Sequence, residues 1–164
     1  MSVKLKHQQK IFLLNQLIEV LKPLQAAGKK IVFTNGCFDI LHIGHIRYLQ
    51  AAKSAGDYLV VAVNSDESVR TIKSSKRPIV SLPERMEVLS ALSFVDFVVS
   101  FNELDPFNII QQIQPEILIK GGDWPIDKII GRDIVEAKGG KVFNIAEIKG
   151  NSTSNIIKTI LNRY

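Results

Sequence analysis

Two histidines three positions apart, His42 and His45, follow the apolar run Lys30-Ile31-Val32-Phe33 after the polar break Thr34-Asn35-Gly36. On the first turn of a helix, side chains at that spacing share a face, so both imidazoles can address one group of ligand atoms. Gly44 between them carries no side chain and lets a ligand approach the backbone closely. The helix that follows contributes free N–H groups and the positive end of its dipole. The combination suits an anion on which further charge develops. Phosphoryl-type transfer is such a case, because its barrier is lowered mainly by positioning and charge stabilisation. One donor placed on the developing charge contributes on the order of 3 kcal/mol.

Other chemistries fit the same residues. Asp39, His42 and His45 have the composition of a two-histidine, one-carboxylate metal site. Cys37 with His42 would make a thiol nucleophile pair, although a lone cysteine beside a strand reads more simply as a small buried residue. A structural reading has one histidine packed and the other solvated; a pair that flanks a glycine after a strand argues against it. The Gly-x-x-x-x-Gly-Lys-Ser/Thr loop is absent, and no Gly-x-Gly-x-x-Gly follows the first strand, so a different phosphate device must occupy that strand end.

These residues need a scaffold, and the chain of 164 residues with 46% hydrophobic content is long enough to build one. No apolar stretch approaches the roughly 20 residues that span a bilayer. The N-terminus, MSVKLKHQQK, lacks the apolar segment of a secretion signal, and the one cysteine excludes an internal disulfide framework. A cytoplasmic protein is expected. The formal charge of +5 is scattered, without an arginine-rich or aromatic-interleaved tract. A small phosphorylated partner is therefore favoured over nucleic acid, and no membrane partner is expected; charge for solubility alone is the competing reading.

The periodicity predicts a helix over residues 8–27, bent or interrupted at Pro23 and ended by Gly28. Five strands follow, at 30–35, 57–64, 95–101, 115–122 and 141–146. Helices are expected between them at 44–56, 65–73, 82–93, 105–114 and 129–140, and a last one at 152–164. Strands alternating with helices predict an α/β, Rossmann-like, doubly wound parallel sheet of about five strands with helices on both faces. Residues 1–28 read as an N-terminal helical extension and 29–164 as the main domain. Ligands in such sheets bind beyond the carboxyl ends of the strands, where the strand order reverses. Three polar clusters fall there: Thr34-Asn35-Gly36, Asn64-Ser65-Asp66 and Lys120-Gly121-Gly122-Asp123.

The segment GCFDILHIGHIRYLQAAKSAGD resembles the signature of cytidylyltransferase-like nucleotidyltransferases, whose His-x-Gly-His contacts a nucleoside triphosphate. Class I aminoacyl-tRNA synthetases carry a related motif, and KSSK, Lys73 to Lys76, mimics their second one. The chain is too short for a synthetase core, and KSSK follows the second strand too soon. Together, FTNGCFDILHIGH, VAVNSDESV, RPIVSLPERMEVLSAL, VDFVVSF, ILIKGGDW and GNSTSNIIKTI resemble the adenylyltransferase domain of ADP-heptose synthase, over roughly Lys29 to Tyr164. That domain follows a sugar kinase domain in many relatives, so this chain resembles a free-standing version. Glu147 stands where glycerol-phosphate-type cytidylyltransferases typically have an arginine, which counts against cytidylyl transfer; Lys149 departs from the acidic patch of the heptose relatives.

The resemblance implies transfer of AMP from ATP to a sugar 1-phosphate, most simply D-glycero-β-D-manno-heptose 1-phosphate, for lipopolysaccharide core. The alternatives are a cytidylyltransferase for an alcohol phosphate such as glycerol 3-phosphate, and a non-catalytic nucleotide-binding module. His42, His45 and Lys73 would act on the reacting phosphates. Thr34, Asn35, Gly36, Phe38, Asp39 and Gly44 would cradle the nucleotide at the strand end. Gly121, Gly122 and Asp123 would take the nucleoside, with Trp124 as a wall, and Ser152, Thr153 and Ser154 would seat pyrophosphate. Asn64, Asp66, Lys76, Arg77 and Arg85 would bind the acceptor. Mg²⁺ would enter with ATP, held by phosphates and water, with Asp39 or Asp66 as candidate protein ligands. A homodimer through the N-terminal helix is a further expectation.

Overall fold

The computed structural model describes residues 6–122, 125–146 and 152–164. Six parallel strands form one sheet: β1 (Ile11–Phe12), β2 (Ile31–Gly36), β3 (Tyr58–Asn64), β4 (Phe97–Phe101), β5 (Ile117–Gly121) and β6 (Lys141–Ile145), in the order β1-β4-β3-β2-β5-β6. The helices are α1 (Leu14–Ala26), α2 (Ile43–Lys53), α3 (Asp66–Ile72), α4 (Leu82–Ser90), α5 (Phe107–Ile113), α6 (Arg132–Ala137) and α7 (Thr153–Arg163). This is the α/β Rossmann-like architecture expected from the alternation.

Strands β2 to β5 are apolar almost throughout because both faces are covered, whereas the edge strand β6 is largely exposed. In β2, Ile31 and Phe33 join one core with Leu17 and Leu21 of α1 and Ile109, Ile110 and Ile113 of α5. Val32, between them, points the other way, towards Leu49 and Ala52 of α2 and Met86 and Leu89 of α4. Successive side chains of a strand alternate in direction, so one apolar run feeds two cores.

The N-terminal segment departs from the expected helical extension. A 3-10 turn at Lys6–Lys10 leads into β1, and the helix begins only at Leu14. Ile11 and Phe12 pair with Val98 and Val99 at the sheet edge. A two-residue strand carries no periodicity, and Phe12 and Leu13 also fit the helical spacing of the residues after them. Pro23 lies inside α1 without ending it, and the stop comes at Gly28 with φ +76°. The helix expected at 129–140 is confined to Arg132–Ala137, preceded by a 3-10 turn at Ile126–Lys128. Gly131, with φ +86°, sits before α6, where an added Cβ would meet Ile110 Cδ1 at 2.7 Å.

Strand order reverses between β2 and β5. From β2 the chain moves outward through β3 and β4, then returns to lay β5 on the other side of β2. The two junctions of β2 differ. Its register with β3 runs from Ile31–Tyr58 to Gly36–Val63, whereas its register with β5 covers only Val32–Ile117 and Phe33–Leu118. Past that point side chains replace the ladder. The fully buried Thr34 hydroxyl lies 2.5 Å from the Tyr48 hydroxyl, which donates to the Ile119 carbonyl at 3.1 Å. Thus α2 ties together two strands that no longer bond to each other.

Tyr48→Phe removes this bridge without opening a cavity, leaving a buried hydroxyl and a carbonyl short of a partner. The expected loss is about 1–3 kcal/mol in urea unfolding. A midpoint and slope equal to those of the unaltered protein would show that the bridge contributes nothing.

Candidate active site

The crevice opened between β2 and β5 continues into a cleft of about 890 Å³ at the carboxyl ends of the strands. The start of α2, the 73–81 loop and the start of α7 complete its walls. Of the residues expected at a site, Asn35, Gly36, Phe38, Asp39, His42, Gly44, His45, Asn64, Lys73, Arg77, Gly121, Ser152, Thr153 and Ser154 line it. Thr34, Asp66, Lys76, Arg85 and Gly122 do not. Asp123, Trp124, Glu147 and Lys149 lie outside the described residues.

His42 is the residue before α2 and His45 the third within it. Their ring centroids are 3.9 Å apart with planes inclined by 30°, and the Phe38 ring lies 5.4 Å from His45. The Nδ1 atom of His45 is buried with no hydrogen-bond partner among the described residues. Burial, reinforced by the neighbouring His42, lowers the His45 pKa to about 4. The ring is therefore neutral at pH 7, with one N–H to donate.

The turn that presents this pair is held from beneath. Phe38 adopts φ +45°, and its ring covers Gly36, where an added Cβ would lie 3.0 Å from Phe38 Cε2. Asp39, buried, accepts from the backbone N–H groups of Ile79 and Val80 at 2.8 and 2.9 Å and from Arg77 Nε. Burial alone would raise its pKa; the Val80 and Ile79 N–H groups and Arg77 outweigh it and hold the carboxyl below the ordinary value. Asp39 thus latches the 73–81 loop onto the turn after β2.

Arg85, expected to bind acceptor phosphate, has a different place. Its side chain is fully buried, and it donates to the carbonyls of Val80, Cys37 and Asn64 and to Asp66 Oδ1. Four donations from a five-donor guanidinium gather the ends of β2 and β3 and the loop before α4. Asp66, expected at the acceptor or the metal, is the carboxylate partner of Arg85 at 2.8 Å. Asn64 donates to the Ser68 hydroxyl at 3.0 Å while its carbonyl receives Arg85.

Among the described residues no three His, Cys, Asp or Glu side chains are grouped to hold a metal, so the two-histidine, one-carboxylate site is not formed. Asp39 already receives three donors, and Asp66 is turned to Arg85. Among the described residues, neither of these two carboxylates is free to ligate Mg²⁺. Cys37 is no better as a nucleophile: burial raises its thiol pKa despite the lowering influence of Lys73, Arg85, Arg77 and Lys120.

At the start of α7, Ser152 Oγ accepts from the Asn155 N–H at 3.1 Å as a helix cap, and Thr153 donates to the Ile40 carbonyl at 3.1 Å. Both belong to the cleft wall, and the Thr153 bond ties α7 to the turn that precedes the histidines. Gly121 passes close to the Tyr48 ring, where an added Cβ would lie at 3.3 Å. The sequence reading gave no role to Lys120 or Tyr48. Lys120 lines the cleft and donates to Asn35 Oδ1 at 3.1 Å. Its signal was present, since it opens the polar cluster that ends β5, but the glycines beside it drew the assignment.

Residues 33–162 match the Cytidylyltransferase-like family. The chain is 48% identical over 151 residues to the bifunctional protein HldE of Geobacter sulfurreducens, and 48% identical over 160 residues to that of Syntrophotalea carbinolica. The matches cover 92% and 98% of this chain but only 31% and 33% of those proteins, so it spans about a third of the curated relatives. Among solved structures, the lipopolysaccharide core biosynthesis protein from Thermoplasma volcanium superposes with a TM-score of 0.62 at 32% identity, over 76% of this chain and 100% of that one. A pantoate-β-alanine ligase from Francisella tularensis shares the fold, with a TM-score of 0.59 at 16% identity over 93% of this chain and 78% of that one.

The depressed pKa of His45 links the site to stability. Unfolded, the ring binds a proton below pH 6.5; folded, only below about 4. Stability should fall as pH drops through that window, by on the order of 3 kcal/mol, and level off beneath it. His45→Gln should remove this component from the pH profile of unfolding free energy. A variant profile parallel to that of the unaltered protein would contradict the burial of a neutral ring.

Proposed function

Because the chain belongs to the cytidylyltransferase-like family and is a nucleotidyltransferase, we propose that it transfers AMP from ATP to a sugar 1-phosphate, giving a nucleoside diphosphate sugar and pyrophosphate. The sugar we propose is D-glycero-β-D-manno-heptose 1-phosphate, and the product ADP-heptose serves lipopolysaccharide core synthesis. The observation that carries this reading is the stacked histidine pair at the head of α2, facing the cleft where strand order reverses. The 48% identity to bifunctional HldE proteins supports the choice of sugar, as does the 32% identity to a protein solved as a lipopolysaccharide core biosynthesis protein.

In the proposed reaction an oxygen of the sugar phosphate attacks the α-phosphorus of ATP. A new P–O bond forms, the bond from the α-phosphorus to the α,β-bridging oxygen breaks, and its electron pair leaves with pyrophosphate. The attacking oxygen is already ionised at neutral pH, so no base has to generate it. His45 donates a neutral N–H to the phosphates, and His42 addresses the same atoms from the adjacent turn. The free N–H groups that open α2 and α7 add fixed partial positive charge where negative charge accumulates. Lys73 and Arg77 stand over the cleft from the loop that Asp39 secures. Mg²⁺ would come with ATP as part of the substrate and would offset the charge of its phosphates.

Pyrophosphate release measured with ATP and CTP against a panel of sugar and alcohol phosphates tests the reading. ATP with the heptose 1-phosphate should be the best pair. His42→Ala and His45→Ala should each lower kcat by about 10²-fold or more, as for loss of a transition-state donor, with circular dichroism unchanged. Near-normal turnover in either variant, or best turnover with CTP, would overturn the corresponding part.

A further inference from the structure

Lys120 is a cation in an unusual position. Three rungs connect β2 and β5 in succession. The first is the last paired backbone register, Phe33 with Leu118. The second is the Thr34–Tyr48–Ile119 side-chain bridge. The third is Lys120 Nζ donating to Asn35 Oδ1. Lys120 therefore reaches across the floor of the crevice at its widest rung, and both residues of that rung line the cleft.

Its partner is neutral. Among the described residues no carboxylate lies within ion-pair distance of Lys120, whereas Arg77 and Arg85 are each paired, with Asp39 and Asp66. Burial lowers the Lys120 pKa; the nearby Cys37 opposes the shift and the charge of Lys73 adds to it. With one amide oxygen as its hydrogen-bond partner among the described residues, the ammonium has two N–H donors left for another acceptor. Holding it there costs free energy that an anion seated in the cleft would offset.

From these observations we infer that Lys120, held by Asn35 and lining the same cleft as Lys73, binds the phosphate of the acceptor. This deepens the adenylyltransferase reading and rests on it. The seat lies on the crevice floor, apart from the histidine pair at the head of α2. The floor between β2 and β5 thereby receives the attacking phosphate, and the helix N-termini receive the departing one. A phosphate monoester dianion matches the two ammonium groups in charge, and it takes up the donors that Asn35 leaves free.

Lys120→Met keeps the side-chain length and removes the charge; Lys120→Gln keeps a donor. In steady-state kinetics both should raise KM for the sugar 1-phosphate about tenfold or more, the size of one lost charge-assisted hydrogen bond, and leave KM for ATP within about twofold. The Tm of the methionine variant should equal or exceed that of the unaltered protein. A merely structural lysine would instead lower Tm and leave the acceptor KM in place. A raised KM for ATP alone would also overturn the inference. Calorimetric titration with inorganic phosphate, in the presence of saturating α,β-methylene-ATP, decides it without turnover. The unaltered protein should bind phosphate, and Lys120→Met should bind at least about tenfold more weakly. Equal binding by both, or none by the unaltered protein, overturns the Lys120 assignment. Absence of turnover with every sugar 1-phosphate overturns the adenylyltransferase reading instead, and leaves the phosphate titration to judge Lys120.

Discussion

The parting of β2 from β5 after Phe33 and Leu118 is the constraint on which the rest of the structure depends. A parallel sheet whose strand order reverses must leave a crevice there, because the connections on its two sides leave in opposite directions. Opening it forfeits backbone hydrogen bonds inside a close-packed domain, and unpaired buried polar groups are costly. The chain meets that cost with side chains from the two strand ends and from α2. Tyr48 reaches from the same helix that carries His45, so the element closing the crevice also sets one of the imidazoles at its mouth.

Charge is distributed with the same economy. Two carboxylates near the cleft, Asp39 and Asp66, are each engaged by an arginine, and their work is to hold loops. Asp39 fixes the 73–81 loop by its backbone, and Arg85 gathers the carbonyls at the ends of β2 and β3. Asp105 also lines the cavity, where it accepts from the Phe107 N–H, and beside it the described lining is rich in donors: imidazoles, helix N-termini and the ammonium groups of Lys73 and Lys120. The Cys37 thiol is not poised as a nucleophile, since burial pushes its pKa up. The cleft is built to receive negative charge and to hold it in place.

Much of this was legible in the residues. Continuous apolar runs bounded by polar breaks marked β2 to β6 because strands covered on both faces have no polar side to hide. A spacing of three suggested that His42 and His45 lie side by side, and their rings are 3.9 Å apart across the start of α2. The edge strand β1 was not legible: two residues cannot display a period, and its pairing with β4 spans more than 80 positions. Arg85 was misassigned for a related reason. A sequence shows that an arginine can fork onto phosphate, but not that four backbone and carboxylate oxygens converge on it from Cys37, Asn64, Asp66 and Val80. Lys120 was visible as a charge at a strand end, yet its meaning lies in having a neutral amide as its partner among the described residues, which only packing reveals.

A site that works by position and charge, without a covalent partner, must exchange the α-phosphoryl ester in a single displacement. The stereochemical course at phosphorus reads this directly. One diastereomer of ATP thiolated at the α-phosphorus, turned over with the sugar 1-phosphate, should give a product of inverted configuration by phosphorus NMR. Retention would mean two displacements through an enzyme-bound nucleotide, and would contradict the account.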